Sequence, residues 1–141
     1  MSFFAAIDTN VVLSALLSKY SDAATVKVMD AVFEGRIIPL YHPDILEEYR
    51  DVLHRDRFHL EENAVNIVIA DIARLGIKIE PSHIEETFND PDDVVFYEVV
   101  MDKRKTDEAF LVTGNKRHFP CKTFIVTPAE MLALMEGVGE D

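Results

Sequence analysis

The chain has 141 residues, with 26 acidic against 14 basic side chains and a net charge of −12 when histidine is neutral. A length of this order forms one domain that buries a core without disulfides or a structural metal, and the single cysteine, Cys121, excludes an intramolecular disulfide and a cysteine-built zinc site. The acidic balance argues against non-specific adhesion to nucleic acid or anionic membrane, but stays compatible with a nucleic-acid substrate met through divalent cations.

Phe3 to Ile7 is an apolar run too short for a signal sequence, and with the lone cysteine it points to a cytoplasmic protein. The run stops at Asp8 and gives way to a helical pattern from Val11 to Leu17, which predicts a buried strand feeding a helix. Asp8 falls at the strand's carboxyl end, where open parallel α/β sheets bind ligands. It is a candidate for chemistry, and equally Asp8, Thr9 or Asn10 can cap the helix. Asp22 to Phe33 carries Ala24, Val28, Ala31 and Val32 at helical spacing, with Gly35 as the stop. Ile37 to Tyr41 reads as a second strand. Pro43 then opens a helix reaching His54, with Asp44 at the positive end of its dipole. On that helix Ile45, Leu46, Tyr49, Val52 and Leu53 form one apolar arc, with Glu48 at its border and Glu47 on the far side. Glu48 can face a cleft at the core's edge or pair with Arg55, whereas Glu47 is expected in solvent.

Leu60 to Leu75 predicts a further helix ended by Gly76, and Ile77 to Ile79 a short edge strand closed by Pro81. Ser82 to Asn89 reads as a polar loop. Asp90-Pro91-Asp92-Asp93 is a complete helix start, with a cap, a proline at the first helical position and acids in the first turn. Val94 to Met101 is apolar nearly all round, which predicts deep burial, and Asp93 shares a face with Phe96 and Val100. Clustered carboxylates beside a core repel and raise one another's pKa, a conflict that a cation resolves. Lys103, Arg104 and Lys105 complement the helix's C-terminal dipole. Ala109 to Val112 is a fourth buried strand, followed by Thr113, Gly114, Asn115, Lys116, Arg117 and His118, a second polar cluster at a strand end. Thr123 to Val126 is a fifth strand, and Pro128 begins the last helix. Strands separated by helices imply an α/β domain, a parallel sheet with helices on both faces.

Four segments in this order resemble the PIN-domain family of metal-dependent ribonucleases, which includes toxins of bacterial and archaeal toxin–antitoxin systems. They are Asp8-Thr9-Asn10-Val11, Glu48-Tyr49-Arg50-Asp51-Val52-Leu53, Asp90-Pro91-Asp92-Asp93 and Leu111-Val112-Thr113-Gly114-Asn115. The likeness runs from Ile7 to the final helix. It implies a single three-layer PIN domain over residues 1–141, with a five-stranded parallel sheet in the order 3-2-1-4-5 that brings Asp8 and Asn115 to a topological switch point. It also implies that Asp8, Glu48 and Asp93 ligate the metal, with Asp92 second to Asp93, and that Thr113 and Asn115 bind the metal's water shell or phosphate. The family often carries an acid where this chain has Asn115. That departure removes one charge and disfavours a second ion.

Hard oxygen donors without a Cys or His cluster suit Mg²⁺ or Mn²⁺, and such an ion can activate water for in-line displacement at a phosphodiester. Asn10, Lys116 and Arg117 are candidates to meet the RNA backbone. No histidine receives a catalytic role, His118 alone lying near the site. The activity implied is that of an endoribonuclease, the toxin half of a two-protein system, with RNA as substrate, a protein antitoxin as partner, room for a homodimer and no membrane. One competing reading is a catalytically weakened PIN-like binding module, kept open by Asn115. Another is a phosphate-transfer enzyme with an aspartyl nucleophile at Asp8, disfavoured because Asn10 stands where its usual second acid would be.

Overall fold

Phe3–Ile7 forms β1, and Ala5, Ala6 and Ile7 are fully buried, as a central parallel strand covered on both faces requires. The structure is a computed structural model that describes residues 2–84, 88 and 90–138. After β1 come α1 (Thr9–Leu17), α2 (Ala24–Phe33), β2 (Ile37–Tyr41), α3 (Pro43–Leu53), α4 (Glu62–Leu75) and β3 (Ile77–Lys78). Then follow α5 (Pro91–Lys103), β4 (Ala109–Val112), β5 (Ile125–Val126) and α6 (Pro128–Val138). Every strand pair is parallel and the sheet runs β3-β2-β1-β4-β5, the order expected. α5 lies across β1, β2 and β4, while α2 packs on β2 and against α6, so helices cover both faces.

Element ends depart from expectation for local reasons. α1 begins at Thr9 because Asp8 caps it, its Oδ1 accepting from the Thr9 N–H at 2.8 Å. α4 begins at Glu62 because the Glu61 carboxylate accepts from the N–H groups of Asn63 and Ala64. The fifth strand is shortened to Ile125–Val126, since the Ile125 N–H is drawn into a turn by the Lys122 carbonyl. α5 is buried along Phe96, Tyr97, Val99 and Val100, while Val94, Val95 and Met101 are half-buried, so its apolar composition overstates its burial. The loop expected over Ser82 to Asn89 lies partly outside the described residues.

Two glycines carry the turns. Gly35 has φ +82, a left-handed conformation that glycine adopts without a Cβ penalty, where the chain passes from α2 to β2. Gly76 ends α4 in close approach to β2, where a Cβ would strike the Pro39 carbonyl oxygen and sit 2.7 Å from that of Ile72. Pro39 is tolerated inside β2 because β3 joins only from the Leu40↔Ile77 pair onward. Among the described residues no helix is long and apolar enough to cross a membrane.

Candidate active site

β1 and β4 are paired through Ile7↔Val112, so the next residue of each strand, Asp8 and Thr113, stands beside the other at the carboxyl end of the sheet. Thr113 is fully buried and Asp8 is 6% exposed. The Asp8 N–H donates to the Val112 carbonyl at 2.9 Å, and the Thr113 hydroxyl donates to Asp8 Oδ2 at 2.7 Å. With Oδ1 held by the Thr9 N–H, both carboxylate oxygens are oriented. The Thr113 hydroxyl in turn accepts from the Asn115 N–H at 3.0 Å, and Asn10 Oδ1 accepts from the Gly114 N–H at 3.1 Å. These bonds tie the loop after β4 to the start of α1. Because β1 has β2 on its other side, Asp8 lies where the strand order reverses, the crevice in which open α/β sheets hold ligands.

Two helices bring the other acids. The buried Tyr49 hydroxyl of α3 donates to the Ile7 carbonyl, one residue before Asp8, and so anchors α3 against the end of β1. Burial and the nearby Asp8 charge keep this phenol neutral. Glu48, the neighbour of Tyr49, is half-buried. Arg55 is taken by Asp51 at 3.0 Å, and Glu48 has no ion pair or hydrogen bond among the described residues. The Glu47 side chain is 76% exposed, 3.5 Å from Arg50. On α5, Asp90 caps the helix by accepting from the Asp92 N–H at 2.9 Å. The turn that follows leaves Asp92 exposed and turns Asp93 inward, its side chain 14% exposed.

The charges of these groups are in conflict. Burial, then the charges of Asp8 and Asp90, push the Asp93 carboxyl up to about 6. Burial likewise raises Asp8, against the lowering by its bonds to Thr113 and Thr9 and by His118. Glu48 is raised by burial and then by Asp92 and Asp51. Asp8 thus acts directly on Asp93, and Asp90 acts on all three carboxyls. Glu48 faces Asp92 along a groove that Asp44, Glu47, Asp51 and Val95 also line. Among the described residues no three His, Cys, Asp or Glu side chains are already gathered closely enough to hold an ion, so any ligand beyond the pair has to close in on it. Asp8 and Asp93 are the pair whose charges oppose each other most directly, Asp8 being the largest charge acting on Asp93.

That pair fits a hard divalent cation. Its donors are oxygens, both carboxyls are held up by burial with only His118 acting against it among nearby charges, and the Thr9 hydroxyl one residue from Asp8 is buried with no hydrogen-bond partner among the described residues. Mg²⁺ commonly keeps several waters and needs only one or two carboxylates, so Glu48 can act through the water shell. Glu48→Gln is accordingly expected to weaken Mn²⁺ binding about tenfold, as loss of an outer-shell partner does, and Glu47→Gln to leave it nearly unchanged. Titration calorimetry reads the ranking, and equal losses would contradict the division of the two helix faces.

Of the expected substrate contacts, Asn10 is engaged by Gly114, and Lys116 Nζ lies 3.1 Å from Glu130. Arg117 is exposed and makes no ion pair among the described residues. Sequence reasoning passed over Tyr49 as a core residue and Asp90 as a cap, and gave His118, noted near the site, no catalytic role. The His118 ring has Nδ1 at 3.8 Å from Asp93 Oδ2 and Nε2 at 3.0 Å from Asn115 Nδ2. Its three-residue spacing from Asn115, one turn of a 3-10 helix, was the available signal.

A family model described as PIN domain matches residues 5–117. An uncharacterized protein of Methanocaldococcus jannaschii is 28% identical over 113 residues, which cover 78% of this chain and 69% of the relative.

Proposed function

The chain belongs to the PIN-domain family, and on that premise we propose that it is a divalent-metal-dependent endoribonuclease acting as the toxin component of a toxin–antitoxin pair. PIN domains are generally nucleases. The observation that carries the reading in this chain is the Asp8 and Asp93 pair, buried at the switch point of the sheet and short of positive charge. Mg²⁺ or Mn²⁺ held by these two carboxylates supplies an activated water and offsets the charge that develops on phosphate oxygens. The remaining roles fall to the protein. Thr113 fixes the direction of the Asp8 carboxylate through its 2.7 Å bond, and Tyr49 holds α3 so that Glu48 borders the same crevice. Arg117, free of an ion pair among the described residues, offers a guanidinium for bidentate contact with an RNA phosphate. With a net charge of −12, such contacts are local exceptions on a surface that repels RNA, which favours short single-stranded segments over extended duplexes.

The test is cleavage of single-stranded RNA by recombinant protein in Mn²⁺, in Mg²⁺ and in EDTA, with Asp8→Asn as control. Internal cleavage that needs the ion and Asp8 is expected. Intact RNA in the presence of bound ion would favour the weakened binding module. The toxin assignment predicts that induced expression arrests growth of a bacterial host and that the Asp8→Asn protein does not.

A further inference from the structure

After β4 the chain turns through Lys116–His118 and brings the His118 ring back over the carboxylate pair, with its side chain 53% exposed. The two ring nitrogens face different groups. Nε2 lies 3.0 Å from the Asn115 side-chain amide, a hydrogen bond, and Nδ1 lies 3.8 Å from Asp93 Oδ2. The second separation is too long for a hydrogen bond. Two ligands of one ion with bonds of roughly 2.0–2.2 Å stand about 3.0–3.5 Å apart at tetrahedral or right angles, so closure by a few tenths of an ångström would seat a single ion on both atoms. We propose that His118 is an imidazole ligand of the divalent ion seated on Asp93, and that Asn115 is the group that orients it.

Asn115 suits this task better than a carboxylate would. A side-chain amide presents a donor on one side and an acceptor on the other. With its NH₂ donating to Nε2, the ring carries its hydrogen on Nδ1, pointing at Asp93. Turned over, its carbonyl accepts from Nε2–H and leaves the Nδ1 lone pair bare toward the ion. A ligating histidine is held in its tautomer by such a bond to its other nitrogen. The asparagine thus serves the ring both without the ion and with it, whereas an aspartate could only accept. The stretch matched by the family model ends at residue 117, so this imidazole stands one position beyond it. A nitrogen donor beside oxygens also changes which ion is preferred, favouring Mn²⁺ and Zn²⁺ over Mg²⁺.

The inference rests on the ion seat of the proposed function, and the experiment separates the two. Mg²⁺ and Mn²⁺ affinities are measured by calorimetry for the wild type, His118→Gln and Asp8→Asn, and histidine-ring ¹⁵N spectra are recorded with and without Zn²⁺. Because His118 is exposed, His118→Gln is expected to keep the ion-free melting temperature of the wild type. It should lose about tenfold in Mn²⁺ affinity and little in Mg²⁺ affinity, so that the preference between the ions collapses. In the spectra the His118 ring should change from the Nδ1–H to the Nε2–H tautomer on adding Zn²⁺. If His118→Gln keeps the wild-type ratio while Asp8→Asn abolishes binding, the seat stands and the imidazole is no ligand. Retention of Nδ1–H in the Zn²⁺-loaded protein would overturn the inference in the same way. Absence of any divalent binding to the wild type would overturn the seat, and the inference with it.

Discussion

Asp8→Asn is expected to yield a protein that melts higher than the wild type in EDTA and no longer responds to divalent ions. Asparagine retains the local bonds, since its carbonyl can accept from the Thr9 N–H and its amide can donate to the Thr113 hydroxyl. What it removes is a buried charge that raises Asp93 as well as itself. A gain of about 1 kcal/mol, or roughly 3 °C, is expected, the usual scale when an active-site strain is relieved. Against it stands a loss of ion affinity and of cleavage of at least about a hundredfold, since a ligand counts for no less than the outer-shell groups around it. The pH dependence gives an independent reading. Asp93 titrates near 3.8 when exposed and at about 6 in the fold, so between those values the folded chain holds a proton that the unfolded chain has lost. Stability therefore falls as pH rises through this window. Melting temperatures in EDTA across it should decline for the wild type and decline less for Asp8→Asn, whose Asp93 has lost the largest of its neighbouring charges. In saturating Mn²⁺ the wild type should regain about 2.7 kcal/mol at an ion concentration near a hundred times its Kd, and the variant nothing. A variant that melts lower than the wild type at neutral pH would show that the Asp8 charge stabilises the fold.

Gly76→Ala is expected to be among the most damaging single-methyl additions in the chain. The new Cβ would be driven into the Pro39 carbonyl oxygen and would sit 2.7 Å from the Ile72 carbonyl oxygen. Both obstacles are backbone, one in β2 and one in the last turn of α4, so no side-chain rotation relieves them. Overpacking of this kind costs about 3 kcal/mol or more, roughly 10 °C in melting temperature for a domain of this size. Gly137→Ala is the control, because a Cβ there meets nothing within 4 Å. Equal melting temperatures for the two variants would mean that the α4–β2 approach is looser than described.

The parallel α/β sheet was legible from where apolar runs stop and helical patterns begin, whereas its strand order came from the resemblance to the PIN-domain family. A run that ends in a carboxylate announces both a buried strand and the edge at which its ligand sits, which is how Asp8 was found. The four-residue start of α5 disclosed Asp93 for the same reason, through its shared face with Phe96. Distances were not legible. A helical wheel gives Glu48 a direction, but its separation from Asp93 depends on the Tyr49 hydroxyl reaching the Ile7 carbonyl 42 residues away. Asn10 and Lys116 read as free to meet substrate, and their partners, Gly114 and Glu130, are fixed only by tertiary packing. His118 was placed near the site but given no catalytic role, because the five histidines are scattered along the sequence. Only the fold shows that its loop curls back over the acids.

The bond from Thr113 to Asp8 joins residues 105 positions apart in the chain. At synthesis rates of roughly 5–20 residues per second, Thr113 follows Asp8 off the ribosome by about 5–20 s. Through that interval β1 lacks β4, and the carboxylate that defines the crevice has neither its hydroxyl partner nor its wall. Only after Val112 has paired with Ile7 is the crevice assembled. A chain truncated before residue 113 therefore has no means of completing this crevice, and the site is among the last parts of the domain to form.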